Sequence, residues 1–131
     1  MAEHITAYQY GTPRKDRGLR IGTTRLPPRG VYARDYARLD FMDVWLPELG
    51  PSRELLQKFN RRSAGVKTTS DRAKLQKAFY KSYEVELRQS APRHMIGLLA
   101  ELAKRTSLSI GCFCPLDGPC HNRVLLKLLR R

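Results

Sequence analysis

Leu108-Ser109-Ile110-Gly111-Cys112-Phe113-Cys114 is the stretch on which the reading of this chain turns. Leu108, Ile110, Cys112 and Cys114 fall on one side of it, and Ser109, Gly111 and Phe113 on the other. A period of two is the mark of a β-strand. Pro115-Leu116-Asp117-Gly118 then supplies a turn, and Pro119 suits the first turn of a helix. That last helix begins with Cys120 and His121 and carries Val124, Leu125, Leu128 and Leu129 on its inner face. A strand that feeds a short turn and then a helix is the repeating step of an α/β domain.

The same step is found upstream. Ala91-Pro92 opens a helix whose Met95, Leu98, Leu99 and Leu102 recur at helical spacing as an inward face. Before it, a helix over about residues 71–89, capped by Ser70 or Asp71, places Leu75, Phe79, Tyr83 and Leu87 four apart in one apolar stripe. Lys74, Lys77, Lys81 and Arg88 lie on its opposite side. Gly50-Pro51-Ser52 starts another helix, with Ser52 as cap and Glu54 in the first turn. Leu19 to Thr24 reads as a short strand that ends where Pro27-Pro28 forbid both helix and ladder. Residues 4–10 suit an edge strand, and residues 31–50 a loop or helical turn followed by a short strand. Alternating strands and helices with short connections predict an α/β fold: a mostly parallel sheet with helices on its faces.

At 131 residues the chain fits a single domain, 1–131, able to bury one core without disulfides or metal. No signal sequence or bilayer-length apolar run is visible, so the expected location is the cytoplasm, with no membrane partner. Three cysteines there are expected as thiols, metal ligands or redox groups rather than structural disulfides. Lys and Arg total 25 against 12 Asp and Glu, a net charge of +13 that favours anionic partners, nucleotides and nucleic acids among them.

The chemistry concentrates where the decisive strand ends. In an open α/β sheet, ligands bind beyond the carboxyl ends of the strands, near helix N-termini. Cys114, Cys120 and His121 are expected at that place. One reading is a catalytic or redox thiol: Cys120 as nucleophile at a helix start, His121 as acid/base, Cys114 as the resolving thiol. A second is a metal site on Cys112, Cys114, Cys120 and His121, for which zinc or iron would serve. The Cys-x-Cys-x5-Cys-His spacing is not a common zinc pattern, and an iron–sulfur cluster usually asks for a fourth thiolate. A third reading is simple packing, to which Cys112, on a face with Leu108 and Ile110, is well suited. Arg25 and Arg29 flank the rigid Pro-Pro turn and, with Arg123, are candidate anion-binding residues. His4 and His94 carry no motif.

Four segments carry a family resemblance. They are Arg25-Leu26-Pro27-Pro28-Arg29-Gly30; Tyr36 to Leu55, with Asp40, Asp43, Trp45, Pro47 and Pro51-Ser52; the helix holding Phe79, Tyr83 and Glu86-Leu87; and Ser109 to Cys114 with Cys120-His121. Over about residues 17–130 the chain resembles domain-of-unknown-function family 488, the YeaO-like proteins, in the subgroup with a C-terminal Cys-x-Cys…Cys-His cluster. The resemblance implies a small Rossmann-like fold with a site at the cluster. That subgroup usually reads Cys-His-Arg; here Asn122 follows His121 and Arg123 comes one later, which puts an anion-binding role for Arg123 in doubt.

The leading expectation is a small thiol- or metal-dependent enzyme acting on an anionic substrate, a nucleotide or nucleic acid, at the Cys/His cluster. The alternative is a non-catalytic nucleic-acid-binding module with structural cysteines, in which Lys74, Lys77, Lys81 and Arg88 contact phosphates.

Overall fold

The computed structural model describes residues 5–15, 18–114 and 120–130. Four strands, β1 (Ile5–Gln9), β2 (Leu19–Gly22), β3 (Val44–Trp45) and β4 (Leu108–Cys112), form one parallel sheet in the order β1-β4-β2-β3. Four helices accompany them: α1 (Arg53–Ala64), α2 (Thr69–Leu87), α3 (Ser90–Leu102) and α4 (Asn122–Leu129). The expected α/β fold with a parallel sheet is what forms. β4 is an inner strand, pairing Ile110 with Ala7 on one side and with Ile21 on the other.

The two sheet faces are closed differently. Ile5, Ile21, Leu108 and Ile110 pack with Tyr83 and Leu87 of α2, Leu99 and Ala103 beside α3, and Leu125 and Leu129 of α4. The main core therefore lies between the sheet and the helices. On the opposite face, Tyr8 and Tyr10 pack with Met42, Tyr36, Phe41 and Trp45, so the segment leading to β3 is the cover there. Two paired glycines make this possible. A Cβ on Gly111 would lie 2.3 Å from Tyr8 Cζ, and one on Gly22 would lie 2.5 Å from Met42 Sδ. Without side chains at these positions, the tyrosine rings rest directly on the backbone of β4.

Local signals set most boundaries. Ser52 caps α1 by accepting from the Leu55 N–H (3.1 Å), as its position before Glu54 predicts. It also donates through Oγ to Glu86 Oε2 (2.5 Å), while its own N–H reaches Glu86 Oε1 (2.8 Å). One serine thus ties the start of α1 to the end of α2. Ser52→Ala removes both the cap and the hydroxyl donor, and is expected to cost about 1–2 kcal/mol in urea unfolding. Ser52→Thr should recover most of it.

Several boundaries differ from expectation. The cap of α2 is Thr68, whose Oγ1 accepts from Asp71 N (3.0 Å), rather than Ser70 or Asp71. Leu98 is 67% exposed, because α3 turns Met95, Ile96, Leu99 and Leu102 to the core and leaves Leu98 outside that stripe. β4 ends at Cys112, so Cys114 lies beyond the strand. α4 starts at Asn122 with His121 as its cap residue, so Cys120 and His121 precede the helix. His4, the turn at Pro115 to Gly118 and Pro119 lie outside the described residues. No helix among the described residues is long and apolar enough to cross a membrane.

Candidate functional site

β2 and β4 are parallel neighbours, so their carboxyl ends emerge on one edge of the sheet. Thr23 follows β2 and Cys112 closes β4. The Thr23 N–H donates to Gly111 O (3.1 Å), extending the ladder by one rung. The Thr23 hydroxyl donates to Asn122 Oδ1 (2.6 Å), and Asn122 Nδ2 reaches Ile110 O (3.4 Å). Both residues are buried, so this small network fixes the start of α4 over the strand ends.

His121 is positioned by the same residue. Its Nε2 lies 3.0 Å from Thr23 O. A carbonyl can only accept, so Nε2 carries the proton and Nδ1 keeps its lone pair. That lone pair faces Cys112 Sγ at 3.8 Å and Cys120 Sγ at 3.9 Å. The Tyr83 ring meets the imidazole edge-on, with centroids 5.4 Å apart. Burial pushes the His121 pKa down, which favours the neutral ring. The unfolded chain therefore binds a proton that the folded chain refuses. In the metal-free protein, stability should fall as the pH drops below about 6.5. Urea unfolding at pH 7.5 and 5.5 in the presence of a chelator checks this.

The ligand atoms of Cys112, Cys120 and His121 all lie within 4.8 Å of one another, close enough to hold one metal ion. A tetrahedral ion about 2.3 Å from sulfur and about 2.0 Å from nitrogen would set sulfur and nitrogen about 3.5 Å apart. The observed 3.8 and 3.9 Å need only a slight contraction. The carbonyl that orients the imidazole from its far side is the usual partner of a metal-binding histidine. No disulfide links the three cysteines.

Cys114 is not one of those three ligands, but its sulfur hydrogen-bonds with Cys112 and Cys120. Hydrogen bonds from Cys112 and Cys120 hold its pKa down to about 3. Its partners move the other way: hydrogen bonding to Cys114 pushes Cys112 up to about 11, and hydrogen bonds to Cys112 and Cys114 push Cys120 up. Within the trio of cysteines, hydrogen bonding thus favours the thiolate form at Cys114 over Cys112 and Cys120. This is the reverse of what a helix-start position suggests for Cys120, and the reason is local, since Cys120 stands one residue ahead of the cap and within reach of two other sulfurs. The Cys120 N–H donates to the Tyr80 hydroxyl (3.2 Å), which burial pushes up in pKa.

Of the sequence-derived cluster, Cys112, Cys120 and His121 are brought together within reach of one ion. Arg25 donates from Nη2 to Gly50 O (2.7 Å) and from Nε to Pro51 O (3.2 Å), clamping the entry to α1. It lines a cleft of about 480 Å³ with Glu48, Glu54 and Glu86, whose carboxylates disfavour an anion there. Arg29 and Arg123 are exposed, Arg123 on the first turn of α4. Asn122, where the resemblance leads one to expect arginine, is 3% exposed and serves the Thr23 network. Lys74, Lys77 and Lys81 are exposed on α2 and enter no ion pair among the described residues, whereas Arg88 pairs with Glu84 (3.2 Å).

Thr23, Asn122, Tyr80 and Tyr83 are parts of the site that residue type alone did not announce. Tyr83 reads as core and is core, fully buried, yet its ring also walls His121. Thr23 had one available signal, its place immediately after a strand parallel to β4.

The family described as the active DUF488-N3 subclade, DUF488-N3a, matches residues 5–131. No curated protein and no solved structure matches the chain.

Proposed function

Because the chain belongs to the DUF488-N3a family, the subclade described as active, we propose that it is an enzyme built on a metal-binding Cys/His centre and acting on an anionic substrate, a nucleotide or nucleic acid. The observation that carries this reading is the aim of the His121 Nδ1 lone pair at both Cys112 Sγ and Cys120 Sγ, enforced by Thr23 O behind the ring. Packing alone gives no reason to bury an imidazole with its lone pair facing two sulfurs. Two thiolates and an imidazole suit zinc first and iron second. A divalent ion held there supplies a Lewis acid. Cys112, Cys120 and His121 hold it, Thr23 and Asn122 keep the ligands in place, and Cys114 is the candidate fourth ligand. The +13 charge concentrates anions around the site, with Arg29 and Arg123 as exposed cations on offer.

Titrating chelator-treated protein with cobalt(II) tests this. The expected result is a thiolate-to-cobalt charge-transfer absorption that saturates near one equivalent and disappears in Cys112→Ser and Cys120→Ser. Cys114→Ser tells a three-ligand from a four-ligand site, by whether the spectrum keeps its tetrahedral shape. Absence of the absorption in the unsubstituted protein would end the metal reading.

One observation favours a second reading, catalysis by a thiolate: Cys114 lies beyond the end of β4 and is only partly buried, with hydrogen bonds from Cys112 and Cys120 that lower its pKa. In that case Cys114, rather than Cys120, is alkylated first by iodoacetamide at pH 6, and Cys114→Ser abolishes turnover without altering metal content.

A further inference from the structure

Phe113 stands between two cysteines of the site, yet half of its surface is open to solvent. The alternation of β4 turns Cys112 toward the helices and Phe113 toward the opposite face. There its ring meets Tyr10 edge to face, with centroids 4.8 Å apart and planes at 84°. Tyr10 itself is buried and hydrogen-bonded to Thr24 Oγ1 (3.0 Å). Gln9 Nε2 holds the Phe113 carbonyl (3.1 Å). The phenyl ring is therefore fixed at the carboxyl edge of the sheet, and Tyr10 covers at most one of its faces. An ordered aromatic ring open at a site edge forgoes burial that any small inward shift would gain.

We propose that Phe113 is a stacking platform for a nucleobase, so that the substrate of the Cys/His centre is a single-stranded nucleic acid. This rests on the reading of that centre given above and adds what it takes. The ring supplies a flat apolar face that accepts any base. The net charge of +13 supplies attraction for the backbone. Lys77 and Lys81, which enter no ion pair among the described residues, sit within one helical turn of Tyr80, whose hydroxyl accepts from Cys120 N. A strand whose base rests on Phe113 must cross the carboxyl edge of the sheet to reach them. Binding by ring and ridge together requires several linked nucleotides, of the order of four or more.

The test is fluorescence anisotropy with a labelled oligothymidylate and an abasic oligomer of the same length. Wild-type protein is expected to bind the oligothymidylate about tenfold more tightly or better. Phe113→Ala should bring both oligomers to the same affinity, with the salt dependence unchanged, since the phosphate contacts remain. Phe113→Trp should keep the contrast. Circular dichroism on each variant confirms that it is folded. Equal binding of the two oligomers by wild-type protein, no binding of either, or a contrast that survives Phe113→Ala would overturn the proposal. Metal content measured on the same samples separates the two claims: contrast without metal sinks only the metal centre, and metal without contrast sinks only the platform.

Discussion

Tyr83→Ala is expected to cost about 3–5 kcal/mol, enough to leave a domain of this size largely unfolded under mild denaturant. The ring is fully buried among Ile5, Ile110, Leu99 and Leu125, where sheet, α2, α3 and α4 meet. Its hydroxyl donates to Leu49 O, which holds the short helix Pro47–Leu49 and so the lead into α1. Alanine leaves a cavity and an unpaired buried carbonyl together. Tyr83→Phe separates these effects, since it keeps the packing and loses only the donor, for about 1–3 kcal/mol. A urea melt of both variants checks the order. The same ring walls His121, so Tyr83→Phe should keep the site while Tyr83→Ala loses it with the fold.

His121→Ala is expected to have the largest effect on the centre. It removes the only ligand of the described cluster that is oriented by a protein group on its far side. Metal affinity should fall by well over the 100-fold that marks the loss of an orienting partner alone. Thr23 supplies that comparison. Thr23→Val keeps the carbonyl but removes the hydroxyl bond to Asn122, loosening the start of α4. It should weaken metal binding about 10- to 100-fold without abolishing it. Competition with a chromophoric chelator measures both variants. Equal losses would mean that the imidazole is not a ligand.

Much of this was legible in the residues, for identifiable reasons. The stripe Leu75, Phe79, Tyr83, Leu87 repeats every four residues, and the alternation Leu108, Ile110, Cys112, Cys114 every two; each pattern is local, and all but Leu75 and Cys114, which are half-buried, are buried. The parallel arrangement followed from alternating elements and placed Cys114, Cys120 and His121 at one edge; the trio the structure gathers there is Cys112, Cys120 and His121. What escaped were matters settled across the chain. The short strand expected within residues 31–50 is there as β3, but only its pairing with Ile21 and Gly22 fixes it at Val44–Trp45. Leu98 has the right spacing for an inner face, but α3 is only partly covered and packs through its neighbours. Thr23 lies 98 residues from His121 in sequence, so no local pattern could announce that it selects the imidazole tautomer. Arg25 carries the residue type of an anion site, and two backbone carbonyls claim it instead.

Elemental analysis of protein purified without a metal-affinity tag, with a thiol count on the same sample, tests the centre most directly. About one zinc or iron per chain, with the thiols masked until a chelator is added, is the result this structure predicts. Metal-free protein with three titratable thiols that react alike with and without chelator would contradict it.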